Sequence, residues 1–328
     1  MGAGAVLLAA LVAVSWLWPS NDFLLLPDKA RPVAPLVQIQ GGRDPAGPGG
    51  IYFDAIVIRR AKLFEQLFPW IHDGASLVDE KLINPPGVSD TQRHAEDLRE
   101  MARSQDIAAA VALKYLGYRV RVVSTGALVS EVLAGSPAAR AGLEPTDVIV
   151  SVDGEPVRKR SDLRALITRR AAGATLRIGV RTPKGLRELG VKTVADPHNG
   201  GRPVIGVLVD QATQVKLPFP VKIDAGSIGG PSAGLAFALE VVEELGHDVD
   251  RGYRVAATGE IEADGTVAPI GGVKQKIFGV REAKVDVFLV PAGDNAKEAR
   301  KHAGSVRVIP VHSFRQALRA LATLPPKR

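Results

Sequence analysis

The run GSIGGPSAGLAFALEVVEE, Gly226–Glu244, changes character in its middle. Four glycines and a proline precede or surround Ser232, and from there Leu235, Ala238, Leu239, Val242 and Leu245 recur at helical spacing until Gly246. The pattern predicts a strained loop that delivers one serine to the start of a buried helix. A helix beginning there aims free backbone N–H groups and partial positive charge at whatever sits above the hydroxyl. Glycine lets a substrate backbone come close, so Gly230 and Pro231 are candidate supports for an oxyanion site at Ser232.

A nucleophilic serine needs a base. The histidines are His72, His94, His198, His247, His302 and His312, and none stands in a triad motif. A better candidate lies in Ala268-Pro-Ile-Gly-Gly-Val-Lys274-Gln-Lys276-Ile, where a Gly-Gly turn opens a second helix with Lys274 in its first turn. A lysine works as a base only as the free amine. Moving a lysine from about 10.4 to about 7 takes roughly 4–5 kcal/mol of selective destabilisation of the ammonium, which apolar burial and a helix N-terminus both supply. No metal or cofactor is called for. Taken singly, Ser232 reads as a helix N-cap, Lys274 as a solvated first-turn lysine and Thr258 as a strand residue.

Together they read differently. Gly-Pro-Ser-Ala-Gly at 230–234, Ala257-Thr-Gly-Glu-Ile261 and Pro269-Ile-Gly-Gly-Val-Lys-Gln-Lys276, in that order, resemble the proteolytic domain of the Lon proteases. The resemblance implies a Ser–Lys dyad peptidase with Ser232 as nucleophile, Lys274 as base and Thr258 bonded to the lysine. Lys276 is then the solvated partner of the pair. The ATP-dependent members carry an acid three residues before the serine, where this chain has Gly229; Asp224 is the nearest acid upstream.

Gly126-Ala-Leu-Val-Ser-Glu-Val132, Gly135-Ser-Pro-Ala-Ala-Arg-Ala-Gly-Leu143 and Asp147-Val-Ile-Val-Ser-Val-Asp-Gly154 resemble a bacterial PDZ domain. Such a domain takes a chain end as an added strand in a groove. Here the groove is expected between Ala127–Val132 and a helix over 161–169, with Gly126, Ala127, Leu128 and Val129 as peptide-binding residues.

Met1–Trp18 contains no charged side chain, and as a helix it spans about 27 Å, close to a bilayer core. Trp16 and Trp18 suit the interfacial belt. An uncleaved anchor is favoured over a signal peptide, because no basic region precedes the segment and no A-x-A site follows it. Lys29 and Arg31, read literally, place the body in the cytoplasm, whereas the resemblance places it outside.

The chain has 328 residues, 46% of them hydrophobic, a formal charge of +7 and no cysteine, so disulfides and thiolate sites are excluded. Basic pairs such as Arg59–Arg60 and Arg169–Arg170 sit beside acids without interleaved aromatics, which argues against a nucleic-acid partner. No Gly-x4-Gly-Lys-Ser/Thr run cradles a nucleotide.

The expected architecture is therefore α/β (α+β). A membrane anchor occupies 1–20, the first part of a Lon-type domain 35–120, an inserted β-rich PDZ-like domain 121–195, and the Ser–Lys peptidase part 200–325. The resemblance implies an ATP-independent, single-pass serine endopeptidase acting on unfolded segments or chain ends, with its body outside the cytoplasm. A homo-oligomer is expected by the same analogy. The alternatives are a membrane-anchored PDZ scaffold with an inactive Lon-like domain and a Ser–Lys hydrolase of non-peptide substrates.

Overall fold

The structure, a computed structural model, describes residues 15–16, 18–42, 49–84, 90–182, 185–196 and 200–327. Most of the anchor segment Met1–Trp18 lies outside them. No helix among the described residues is long and apolar enough to cross a membrane.

The chain forms two units, one joining the residues before Arg121 to Leu217–Arg328, the other comprising Arg121–Lys216. At the centre of the first is a five-stranded sheet in the order Arg31–Pro32, Gly50–Phe53, Arg254–Ala257, Val287–Pro291 and Arg307–Val311. Only the first pairing is antiparallel. All of Val287–Pro291 is buried, as expected of a central parallel strand covered on both faces. Alternation assigns the faces. Ile51, Phe53, Val255, Ala257, Val287 and Leu289 join a core with the helices Asp90–Tyr115, Gly234–Glu244 and Phe314–Ala322. Tyr52, Ala256, Phe288 and Val290 turn the other way, onto the helices Val273–Glu282 and Asp294–Lys301. The product is a sheet sandwiched between two helical layers.

A smaller sheet orders Ile56–Lys62, Pro19–Pro27 and Ser76–Val78. Sequence alternation suggests one strand over 51–59, but the chain breaks at Asp54-Ala55 between Gly50–Phe53 and Ile56–Lys62. That break frees Asp54 from either ladder.

The second unit is an antiparallel sheet ordered Gly185–Lys192, Thr175–Thr182, Val148–Val152, Arg121–Val132 and Val207–Lys216, with the helix Arg160–Thr168 burying Leu163, Leu166 and Ile167 against it. Its extent differs from the expected 121–195. The strand Val207–Lys216 belongs to this unit because it pairs along Arg121–Val132 from Val207↔Val132 to Lys216↔Arg121.

Candidate active site

Ser232 sits in a short 3-10 turn, Pro231–Ala233, entered through Gly230 at φ +84° and followed by the helix Gly234–Glu244. The left-handed Gly230 is what a side chain would resist. The long helix Asp90–Tyr115 clamps this loop. Gly230 N–H donates to the Asp97 carbonyl at 2.7 Å, and Ser104 Oγ donates to the Pro231 carbonyl at 3.0 Å. A Cβ at Gly229 would stand 2.5 Å from that of Asp97, so an acidic side chain there has no room in this arrangement. Asp224 caps its own turn by accepting from Gly226 N–H and faces Lys222.

Thr258, fully buried, donates from Oγ1 to the Ser232 carbonyl at 3.2 Å, and Gly259 N–H reaches the same oxygen at 2.8 Å. The expected bond from Thr258 to the lysine is replaced by this one. The threonine sits on the strand end beside the serine backbone, so it fixes the serine rather than the base.

The lysine is the main correction. Lys274 Nζ donates to the Ala75 carbonyl at 2.8 Å and does not meet the serine. Lys276, expected to be solvated, is 2% exposed, and its Nζ lies 3.1 Å from Ser232 Oγ. The cause is helical geometry. Gly272, left-handed at φ +69°, starts the helix at Val273, and residues two apart project about 200° from each other. Lys276 shares its side with Val273, Ile277 and Val280, all buried, so it points inward.

Lys276 Nζ also donates to the Asp54 carbonyl at 3.0 Å and to Asp54 Oδ1 at 2.7 Å. Its three N–H groups, when protonated, thus have three acceptors. The Asp54 side chain is completely buried, and its Oδ2 has no hydrogen-bond partner among the described residues. Sequence reading missed Asp54, which lies 222 residues from the lysine it holds. Among the described residues no three His, Asp or Glu side chains gather to hold a metal ion.

The PDZ-like stretch needs a correction too. Gly126–Val129 is not an open edge. Ala127 and Leu128 pair with Ile149 and Val148 on one side, and Gly126–Val129 pairs with Val209–Ala212 on the other. Gln211 seals this arrangement, donating from Nε2 to the carbonyls of Gly126 and Arg158 and accepting at Oε1 from Arg160 N–H. The strand position expected for a peptide is filled by the chain itself.

Comparisons with known proteins find a family model for each of two stretches of the chain. Residues 114–193 match the PDZ domain family model, and residues 209–321 match that of the Lon protease (S16) C-terminal proteolytic domain. Lon protease 2 of Bacillus subtilis (strain 168) is 31% identical over 117 residues, 36% of this chain and 20% of that protein. Lon protease 1 of Sorangium cellulosum (strain So ce56) is 40% identical over 78 residues, 23% and 10% respectively. The matched stretch therefore spans a fifth or less of these curated relatives. Among solved structures, the PDZ domain of the SdrC-like protein from Listeria innocua is 27% identical, with a TM-score of 0.24, covering 26% of this chain and 96% of that one. Carrying a PDZ domain and a Lon-type proteolytic domain together, the chain matches the PDZ-containing Lon-like proteases.

Proposed function

We propose that this protein is an ATP-independent serine endopeptidase in which Ser232 is the nucleophile and Lys276 the general base. The observation that carries this reading is the buried Lys276 Nζ at 3.1 Å from Ser232 Oγ, hydrogen-bond reach for a base and its nucleophile. Lys276 acts as the free amine, its Nζ held by the Asp54 carbonyl and Oδ1. The free amine then takes the Ser232 proton as Oγ bonds to the scissile carbonyl carbon. The ammonium so formed returns that proton to the leaving amine as the C–N bond breaks. Water gives one proton to Lys276 as its oxygen bonds to the ester carbon, and Lys276 returns that proton to Ser232 Oγ as the acyl C–O bond breaks, which restores the serine and the free amine.

In the loop Gly229–Ser232, Pro231 has no N–H and Gly230 N–H is engaged by Asp97, so the Ser232 N–H is the donor offered to the oxyanion, with the positive potential of the helix start behind it. Thr258 and Gly259 hold the Ser232 carbonyl and so keep Oγ in place. Substrates are unfolded segments, loops or chain ends, since these 328 residues contain no nucleotide-binding loop to drive unfolding. Met1–Trp18 anchors the protein as a single pass, with the body outside the cytoplasm and copies assembling as a homo-oligomer. At the PDZ domain an incoming peptide strand competes with Val207–Lys216 for the edge of Arg121–Val132.

The test is reaction with a fluorophosphonate probe read by intact mass, beside digestion of an unfolded labelled protein without ATP. One adduct, lost in Ser232→Ala and Lys276→Met but kept in Lys274→Met, supports the dyad. A folded wild type that neither labels nor digests refutes it.

A further inference from the structure

Outside the site, one face of the first unit carries more exposed apolar surface than a soluble body needs. Trp16, Trp18, Leu63, Leu67, Phe68, Trp70 and Ile71 are all well exposed, Trp70 at 73% and Trp18 at 66%. Ring contacts join the aromatic members Trp16, Phe68 and Trp70 through Phe64. The Trp16 ring stacks on Phe64 with centroids 5.2 Å apart, Phe64 contacts Phe68 at 4.9 Å, and Phe68 meets Trp70 edge-on at 5.3 Å. Leu63 N–H donates to the Trp18 carbonyl at 2.9 Å, which ties the entering chain to this face. Contiguous exposed apolar groups of this kind mark an interaction surface rather than scattered surface residues.

Three observations identify the partner. First, Trp16 continues directly from Met1–Val14, a stretch without a charged side chain, so the chain that leads into the face is itself apolar. Second, the face is built from tryptophan and phenylalanine, the residues that settle at the boundary between lipid headgroups and acyl chains. Third, among the described residues Lys62 carries a charge that no acid pairs, which suits an anionic surface. Between Ile56 and His72 the cations are Arg59, Arg60 and Lys62, and the one acid is Glu65. Glu65 is buried and held at about 2, first by the hydrogen bond from Arg59, with Lys62 N–H and His72 adding to it. Arg60 pairs outward with Glu80, while Lys62 Nζ lies 5.6 Å from the Trp16 ring centroid. Basic side chains beside an aromatic face add electrostatic attraction to anionic lipid.

We propose that the Leu63–Ile71 face, against which Trp16 of the anchor stacks, rests in the interfacial layer of a lipid bilayer, a second membrane contact made by the folded body beside its N-terminal segment. This rests on the membrane part of the proposed function. Insertion at this depth needs no further spanning helix, since the side chains reach only the headgroup and upper acyl region.

The protein's only tryptophans are Trp16, Trp18 and Trp70, so the full-length Trp16→Phe/Trp18→Phe variant reports from Trp70 alone. This variant is reconstituted in phosphatidylcholine–phosphatidylglycerol vesicles, with and without lipids brominated near the headgroup. Flotation reads anchoring, and Trp70 emission reads the face. The expected result is flotation with loss of most Trp70 emission to shallow bromines, together with protection from aqueous acrylamide. Adding Leu67→Glu and Ile71→Glu should restore emission while flotation persists. Flotation with an unquenched, acrylamide-accessible Trp70 overturns the proposal and leaves the anchor standing. Failure to float removes the membrane reading and the proposal with it. Acrylamide protection without bromine quenching, rising with protein density and accompanied by Trp70-region crosslinks between copies, assigns the face to a second copy and also overturns it.

Discussion

Replacing Lys276 by methionine separates the two lysines of the Val273–Glu282 helix most sharply. The substitution keeps the length of the side chain and removes its charge and donors. Asp54, completely buried and, among the described residues, already without a partner at Oδ2, then loses the donor on Oδ1. Stranding one member of a buried ion pair costs about 3–5 kcal/mol. For a unit of this size each kcal/mol moves Tm by about 2–4 °C, so a fall of about 10 °C is expected by calorimetry. Loss of the base lowers kcat/KM by about a thousandfold or more, roughly 4 kcal/mol in the barrier. Pairing Lys276→Met with Asp54→Asn removes the stranded charge, so the double variant should regain most of the lost Tm and none of the activity. Lys274→Met, by contrast, gives up one half-exposed bond to the Ala75 carbonyl, about 1 kcal/mol, and should change kcat/KM by less than about threefold. Peptide hydrolysis by the folded variants decides the matter. An inactive Lys274→Met beside an active Lys276→Met would refute the reasoning.

Three further outcomes follow from the same structure. Thr258→Val removes one of the two donors to the Ser232 carbonyl, so a loss of about 1 kcal/mol in stability and a fall in kcat with KM little changed are expected in steady-state kinetics. Gly272→Ala forces a side chain into φ +69° with its Cβ 2.9 Å from Ile56 Cδ1, and denaturant titration should show a loss of at least about 1–2 kcal/mol. Glu240 is pushed up to about 8, first by burial and then by repulsion from Glu244, Glu243 and Asp250. Its neutral form is the one the fold favours, so stability is fullest below its ordinary value of 4.5 and declines as pH rises towards 8. At pH 7 the deficit is about 3 kcal/mol, and Glu240→Gln should raise the urea midpoint at pH 8 far more than at pH 5; equal gains at both values would contradict this.

Much of the site was legible because local chemistry writes it. Glycines around Ser232 signal a turn that other residues resist, and the apolar spacing after it signals the buried helix. The choice between Lys274 and Lys276 was also open to a closer reading. Val273, Ile277 and Val280 mark the inner face at helical period, and Lys276 lies among them while Lys274 shares the outer side with Arg281. Asp54 gave no such signal. It reads as the next residue of an alternating strand, and only the break before Ile56 and a partner 222 residues away define its place. The extent of the second compact unit beyond Ala195 was hidden for the same reason, since the pairing of Val207–Lys216 with Arg121–Val132 links segments that no local pattern connects.

That last ladder bears on how the chain reaches its native state. Its final rung, Lys216↔Arg121, brings the two ends of a 96-residue insert (121 to 216) side by side. The insert is continuous in sequence and has its own core, so it can condense independently of the unit that surrounds it. Once it has, Val120 and Leu217 are held as near neighbours. The surrounding unit then closes a short gap instead of a long flexible loop, for which the length-dependent entropy alone is about 4 kcal/mol. Folding of the insert first would therefore smooth the assembly of the segments that bring Asp54, Ser232 and Lys276 together from opposite sides of it.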